Sequence, residues 1–233
     1  MRAETKLKPE LKKTSPYSRL VRPGELGLIL ELTVKDKDGR VTDRRTMRGK
    51  SFLRQFLELL FIQMSGTYTY GSSYPYHQPV MYVKDINGYL RPVAASIYYH
   101  GDIFDADAGV GSTGYGIVAG AGTTPPNIDD YNLESMIGHG SGAGQMGYGA
   151  MTFGLPTSDP TTSHFTLTRD FSNSSGVTIT VNEVGVRVKA NALKYNQNWD
   201  TAYFLIIRDV ISGGINVPNG QTLTVNYREQ AAI

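Results

Sequence analysis

The sequence predicts a mainly β fold, a β-sandwich or jelly-roll-like domain with one α-helix in its N-terminal half. The 233 residues include 26 glycines and 15 tyrosines, and short apolar segments alternate with runs of Ser, Thr and Asn. This composition is typical of many strands joined by tight turns. The last third alternates apolar and polar residues in strand-like segments, which are residues 146–153, 164–171, 177–190, 201–210 and 221–227. Gly213-Gly214 and Pro218-Asn219-Gly220 are predicted to separate strands there.

Two hairpins are predicted in the first half of the chain. Residues 26–34 and 40–46 are strand-like and flank a turn that ends in Asp38-Gly39. Residues 80–86 and 89–95 flank Asn87-Gly88, and this dipeptide is the strongest short-range signal for a hairpin.

Between the two hairpins the apolar period changes to that of a helix. Apolar residues recur at helical spacing over residues 51–64, with Ser51 as a candidate N-cap and Gly66 just past the end. The segment is apolar around much of its circumference, so we expect it to lie under a sheet or between subunits.

The chain divides into an extended basic arm, residues 1–23, and a single β-rich domain, residues 24–233. The domain contains a long Gly-rich excursion at 96–145, in which 115–119 is strand-like and 129–135 is a candidate helical turn. Loops of that size are usually functional or held by a partner. The sequence leaves open whether the excursion forms a lobe of its own.

Charge is distributed unevenly along the chain. Residues 1–50 hold 14 Lys and Arg against 7 Asp and Glu, whereas the remainder holds 9 against 14. A basic arm on an acidic body favours contact with the body of another copy. A solvated surface is the next interpretation, and contact with nucleic acid is the least favoured of the three.

Several protein classes are excluded or disfavoured by composition. The chain has no cysteine, so it has no disulfide framework, thiolate nucleophile or Cys-based zinc site. Residues 1–20 lack an apolar h-region, and no apolar run approaches the length of a membrane span. We expect neither a signal peptide nor membrane contact.

No catalytic, cofactor-binding or metal-binding residue is predicted, and we expect no enzyme activity. The four histidines, His77, His100, His139 and His164, have no metal-ligand spacing, and HExxH is absent. The Gly-rich pieces 109–116 and 138–149 lack the Lys-Ser/Thr ending of a P-loop and are interpreted as turns or close backbone approaches.

The best local carboxylate cluster consists of Asp102, Asp105 and Asp107. Its spacing loosely matches a calcium loop but lacks the terminal bidentate Glu. An ordinary acidic loop is the preferred interpretation, and a calcium site stays open.

Tyrosines are concentrated in residues 67–78 and continue at Tyr82, Tyr89, Tyr98 and Tyr99. They lack the interleaved basic residues that a nucleic-acid site requires. Packing at a protein interface is therefore favoured over stacking on sugars or bases.

Four segments resemble strand and turn signatures of β-sandwich virion structural proteins from tailed phages and related prokaryotic viruses. The segments are Asp130-Tyr131-Asn132-Leu133-Glu134, Asn182-Glu183-Val184-Gly185, Ile207-Arg208-Asp209-Val210 and Val217 to Val225. The likeness covers roughly residues 50–230, including the helix, and is loose in the middle.

The resemblance implies a virion structural protein and leaves open whether it forms part of the capsid, decorates it or sits in the tail. The preferred interpretation is a capsid-shell or capsid-decoration component that assembles in the host cytoplasm into the virion. Its partners would be copies of itself, as a homo-oligomer, and other virion proteins, with no cofactor. One alternative is a tail or tail-fibre component that binds a host receptor or glycan. Another is a glycan hydrolase with its carboxylates in residues 102–134.

Overall fold

A computed structural model describes residues 17, 20–49, 51–65, 81–93, 103–193 and 199–233. Ten strands and one helix lie in this part of the chain. Their bounds are β1 Leu26–Lys35, β2 Val41–Gly49, α1 Arg54–Ser65, β3 Met81–Lys84, β4 Leu90–Val93, β5 Gly116–Gly120, β6 Gly147–Ser158, β7 Thr162–Ser172, β8 Ile179–Leu193, β9 Trp199–Val217 and β10 Thr222–Ala232.

The strands form two antiparallel sheets. One has five strands in the order β2-β1-β10-β7-β6, and the other is built around β8. One edge of β8 pairs with β9 along its length. Its other edge pairs with β5, then with an isolated bridge at Asp105, and finally with β4, which carries β3. The mainly β fold is confirmed, with an arrangement consistent with a β-sandwich.

The core lies between the two sheets because alternate residues of each strand point inward. On β10, Leu223, Val225 and Tyr227 are fully buried, and their neighbours in the alternate positions are only partly so. On β8, the buried valines change parity between Val181 and Val184, where the register shifts. A bulge of this kind re-aims the side chains of a strand.

Both predicted hairpins are present, as β1–β2 and β3–β4. In the second, Asp85 organises the turn, since its Oδ1 accepts the backbone N–H groups of Asn87 and Tyr89 at 2.9 and 3.0 Å. Gly88 has a φ of 84°, which is the left-handed conformation that an Asn-Gly turn requires.

Three local predictions are wrong. The helix begins at Arg54 rather than after a Ser51 cap. The residues just before Arg54 pair with β9 through their backbone, since Phe52 forms a bridge with Ile207. Residues 129–135 contain turns and bends but no helix. Gly213-Gly214 does not separate strands, since both glycines lie inside β9, at a large bulge opposite β8.

The described part of the Gly-rich excursion, residues 103–145, packs on the sandwich. It contributes β5 to the second sheet. Buried side chains along its length, from Ile103 to Ile137, belong to the same apolar cluster as the strands.

The helix α1 is 12 residues long, and no helix in the described residues is a candidate to cross a membrane.

Candidate functional site

Three of the segments that carry the resemblance meet at Arg208 of β9. Its Nε donates to Oε2 of Glu183 at 2.9 Å, and its Nη1 donates to Oδ2 of Asp130 at 2.6 Å. Its Nη2 donates to the carbonyl oxygen of Thr124 at 3.1 Å and lies 3.8 Å from Oε2 of Glu134. The sequence separates these residues by up to 84 positions, and the fold joins them in one ionic cluster.

Glu183 fixes the excursion to the second sheet. Its side chain is fully buried, and its carboxylate accepts the backbone N–H groups of Gly122, Glu134 and Ser135 at 3.1, 3.2 and 2.8 Å. A carboxylate that accepts several backbone donors and one guanidinium is well compensated. These hydrogen bonds hold the loop from 122 to 135 against β8.

The pKa of Arg208 is consistent with its pairing to Glu183 and Asp130. Burial alone would lower the pKa of Arg208, but its hydrogen bonds to Glu183 and Asp130 more than offset that effect, and the net direction is upward. Charge-assisted bonds of this kind are roughly twice as strong as neutral ones. Arg208 stays protonated in the folded protein, as the cluster requires.

Arg187 makes a second attachment further along β8. Its Nη1 donates to the carbonyl oxygen of Thr113 at 2.7 Å, and its Nη2 donates to Oδ1 of Asn132. Burial lowers the pKa of Arg187 to about 10, so the guanidinium is charged at neutral pH. This arginine ties two separate parts of the excursion to one strand.

Arg169 of β7 makes the third attachment, from inside the sandwich. It is fully buried, and its pKa falls to about 10 because of that burial. Its guanidinium lies 4.9 Å from the ring centroid of Tyr148. Its hydrogen bonds go to backbone carbonyl oxygens, which belong to Gly109, Ser112, Tyr115, Ile117 and Gly149 at distances from 2.7 to 3.4 Å.

We call Arg169, Arg187 and Arg208 the arginine clamps. Sequence reasoning found the segments around Arg208 only as resemblance motifs and missed Arg169 and Arg187 as anchors. A usable signal was present for Arg187 and Arg208, since each interrupts an apolar stretch of its strand. Burial of a charged residue in such a stretch demands partners. In chemical terms the clamps hold a surface in place. Every guanidinium nitrogen of Arg169 and Arg208 donates to a described residue, whereas Nε of Arg187 is buried and has no hydrogen-bond partner among the described residues.

An apolar surface is exposed on the opposite side of α1 from its packing face. Leu59 and Ile62 are fully buried, whereas Leu57, Phe61 and Met64 are 60%, 52% and 78% exposed. The spacing of the exposed residues places them on one face of the helix. We call these three residues the helix stripe. One face of the apolar helix is therefore buried, and the opposite face is largely exposed among the described residues.

Exposed apolar side chains also occur on the hairpin that packs beside α1. Tyr82, Tyr89 and Leu90 are all more than half exposed. Lys84 lies 5.4 Å from the ring of Tyr131 and Arg91 lies 5.3 Å from that of Tyr89. The other predicted interface tyrosines, including Tyr98, Tyr99 and those in 67–78, lie outside the described residues.

The described end of the basic arm packs on its own subunit. Tyr17 donates through its hydroxyl to Oε1 of Glu31 at 2.7 Å, and its ring lies 4.6 Å from the guanidinium carbon of Arg228. Val21 is buried against Ile29. Residues 1–16 lie outside the described part of the chain, so the predicted contact of the arm with a neighbour concerns that section.

The acidic cluster of the sequence is only partly described. Oδ2 of Asp105 forms an ion pair with Nζ of Lys189 at 2.7 Å, and its Oδ1 accepts the backbone N–H of Asp107 at 2.7 Å. The side chain of Asp107 is exposed. Asp102 lies outside the described residues.

The described histidines do not form a common site. Nδ1 of His139 accepts the backbone N–H of Tyr148 at 3.1 Å, and Nε2 of His164 lies 3.0 Å from Oγ1 of Thr157. His77 and His100 fall outside the described residues. Across the described ranges, no three His, Asp or Glu side chains lie close enough together to hold a metal ion.

Comparisons of the chain with protein-family models, curated proteins and solved structures gave no significant match.

Proposed function

We propose that this chain is a virion structural protein, a capsid-shell or capsid-decoration component that acts through contacts with copies of itself and with other virion proteins. The observation that carries the proposal is the helix stripe: three large apolar side chains on one face of α1 that no described residue covers. Exposed apolar patches of this kind mark sites of protein association. The resemblance of the three segments at Arg208 supplies the class of assembly.

The energy available from the helix stripe suits a repeated weak contact. Burial of a fully exposed Leu, Phe or Met is worth roughly 1.5–3 kcal/mol, and each of these side chains is between half and four-fifths exposed. The three together would contribute about 3–6 kcal/mol before the cost of association. A single contact of that strength is weak, and many identical contacts in a closed assembly are strong.

The arm would supply a second contact, which is electrostatic rather than apolar. Residues 1–16 carry five basic and two acidic side chains, and they continue from a segment anchored at Tyr17. The chain beyond residue 50 is acidic, with 9 basic against 14 acidic residues. Attraction between a basic arm and an acidic neighbour falls with added salt, which gives the arm contact a distinct signature.

The experiment measures mass by light scattering for the purified protein, alone and with empty particles that were assembled without it. Stoichiometric binding to particles is the expected result. The test variant is Leu57→Ser/Phe61→Ser/Met64→Ser, which removes the helix stripe and should lower binding at least tenfold.

The matched control is Val110→Ser/Leu155→Ser, which replaces apolar residues of comparable exposure elsewhere and should bind like the unchanged protein. Equal binding by the test variant and the unchanged protein would remove the helix stripe from the proposal. A stable trimer that ignores particles and binds cells or glycans would replace the proposal with the tail-fibre alternative.

A further inference from the structure

A pocket of about 310 Å³ lies where residues of both sheets meet α1. Four phenylalanines, Phe56, Phe104, Phe153 and Phe165, form its aromatic wall, and the remaining described lining is aliphatic apart from one residue. At the roughly 30 Å³ that a water molecule occupies in the liquid, the pocket has room for about ten non-hydrogen atoms.

The exception is Glu229 of β10, the one titratable side chain among the described residues that line the pocket. Strand alternation explains its position, because Glu229 follows Val225 and Tyr227 on the inward face of β10. No hydrogen bond or ion pair from any described residue reaches its carboxyl group. Burial raises the pKa of Glu229 to about 7.

An uncompensated carboxyl group in an apolar wall is costly. The side chain of Glu229 is partly buried. A charge that is withdrawn from water without a partner opposes folding, and a Gln or Leu at this position would avoid the cost. Carboxyl groups in such surroundings are concentrated at binding and catalytic sites. The chemistry that would compensate the carboxylate in this pocket is a cation.

We propose that this pocket binds an apolar primary amine, with the ammonium group paired to Glu229 and the alkyl chain packed among the four phenylalanines. The carboxylate supplies the opposite charge, and aromatic faces attract a cation as well as apolar atoms. The volume fits a chain of about six to nine carbons with its amine. This inference does not depend on the proposed assembly function.

The experiment titrates the full chain with n-hexylamine at pH 8 by isothermal calorimetry. 1-Hexanol and hexanoate serve as probes with the same alkyl chain and a neutral or negative head. Saturable one-to-one binding of hexylamine is expected, at least tenfold tighter than 1-hexanol, with no binding of hexanoate. Equal affinity for hexylamine and 1-hexanol would overturn the proposal, because the pocket would then recognise only apolar surface.

Variants locate the binding group. Glu229→Gln keeps the size of the side chain and should reduce hexylamine affinity about tenfold while leaving 1-hexanol unchanged. Asp107→Asn removes an exposed carboxylate outside the pocket and should bind hexylamine normally. Unchanged binding by Glu229→Gln would overturn the proposal. If this variant does not fold, the comparison of the three probes on the unchanged chain still decides between recognition of a cation and recognition of apolar surface alone.

Discussion

Removal of Arg208 should destabilise the protein strongly, because it breaks the ionic cluster at its centre. In Arg208→Ala the fully buried carboxylate of Glu183 keeps three backbone N–H donors but loses the guanidinium to which it is hydrogen-bonded. Loss of one partner from a buried ion pair costs about 3–5 kcal/mol, since the remaining charge stays buried with less compensation. We expect the free energy of unfolding to fall by that amount.

The matched control is Arg54→Ala. Arg54 also forms an ion pair with a carboxylate of the excursion, Asp129, but both side chains are more than half exposed. Exposed pairs contribute about 0–1 kcal/mol. Urea denaturation measures both variants, and hydrogen exchange should show faster opening of residues 120–135 in Arg208→Ala than in Arg54→Ala.

A double variant separates lost attraction from the burial of an unpaired charge. Arg208→Ala/Glu183→Gln removes the cation and the charge together, so it should be more stable than the sum of the single variants predicts. The reasoning is refuted if Arg208→Ala costs less than about 1 kcal/mol, or if the two single losses simply add.

Three further predictions concern other parts of the fold. Arg169→Lys offers three donors where Arg169 now serves five carbonyl oxygens, so unfolding in urea should become easier by about 2–4 kcal/mol; an unchanged midpoint would contradict this. Gly88→Ala forces a side chain into the left-handed region and should cost about 1 kcal/mol, whereas Gly138→Ala, which meets open space, should be nearly neutral. The raised pKa of Glu229 means that the folded state holds a proton the unfolded state has lost between about pH 4.5 and 7, so stability should fall as pH rises through this window. Urea titrations at pH 5 and pH 8 measure the difference in the free energy of unfolding between the two pH values, and this difference should be smaller in Glu229→Gln than in the unchanged protein. An equal difference in the two proteins would contradict the prediction.

Local signals in the sequence were sufficient for most strands. Asn87-Gly88 predicts its hairpin because the turn requires a left-handed glycine, and the structure has one. Alternation predicts β7 to within two residues at each end. It also predicts the start of β10 to within one residue, although that strand continues five residues beyond the predicted end. Each of these features depends on neighbours in the chain, which a sequence displays directly.

Features that depend on distant partners could not be predicted. The start of α1 is delayed because Leu53 donates its N–H to the carbonyl oxygen of Ile206, a residue far along the chain. The Gly213-Gly214 pair is typical of a strand end. However, the residues before and after this pair both hydrogen-bond to β8, so β9 continues through the two glycines. Local propensity is overridden in both cases by backbone pairing across the sheets.

The position of the excursion also depends on distant partners and could not be predicted from the local sequence. Its composition predicts a loop, and nothing local indicates which sheet it lies on. That is decided by the pairing of β5 with β8 and by Arg187 and Arg208, whose partners belong to other parts of the chain. Their charged character within apolar strands signals that partners exist, and only the fold shows which residues they are.

The arginine clamps are better explained by the position that they give to the excursion than by the stability that they add. Replacement of a buried ion pair by packed apolar residues is often neutral or stabilising, so the cluster at Arg208 is not the most stabilising way to secure a loop. Apolar packing, however, tolerates many arrangements, whereas hydrogen bonds are directional, and the carboxylate of Glu183 is bonded to particular backbone N–H groups of residues 122–135. A protein that assembles from many copies has to present the same surface in each copy. Under the proposed assembly function, the buried charges suit that requirement, because they fix the geometry of a surface.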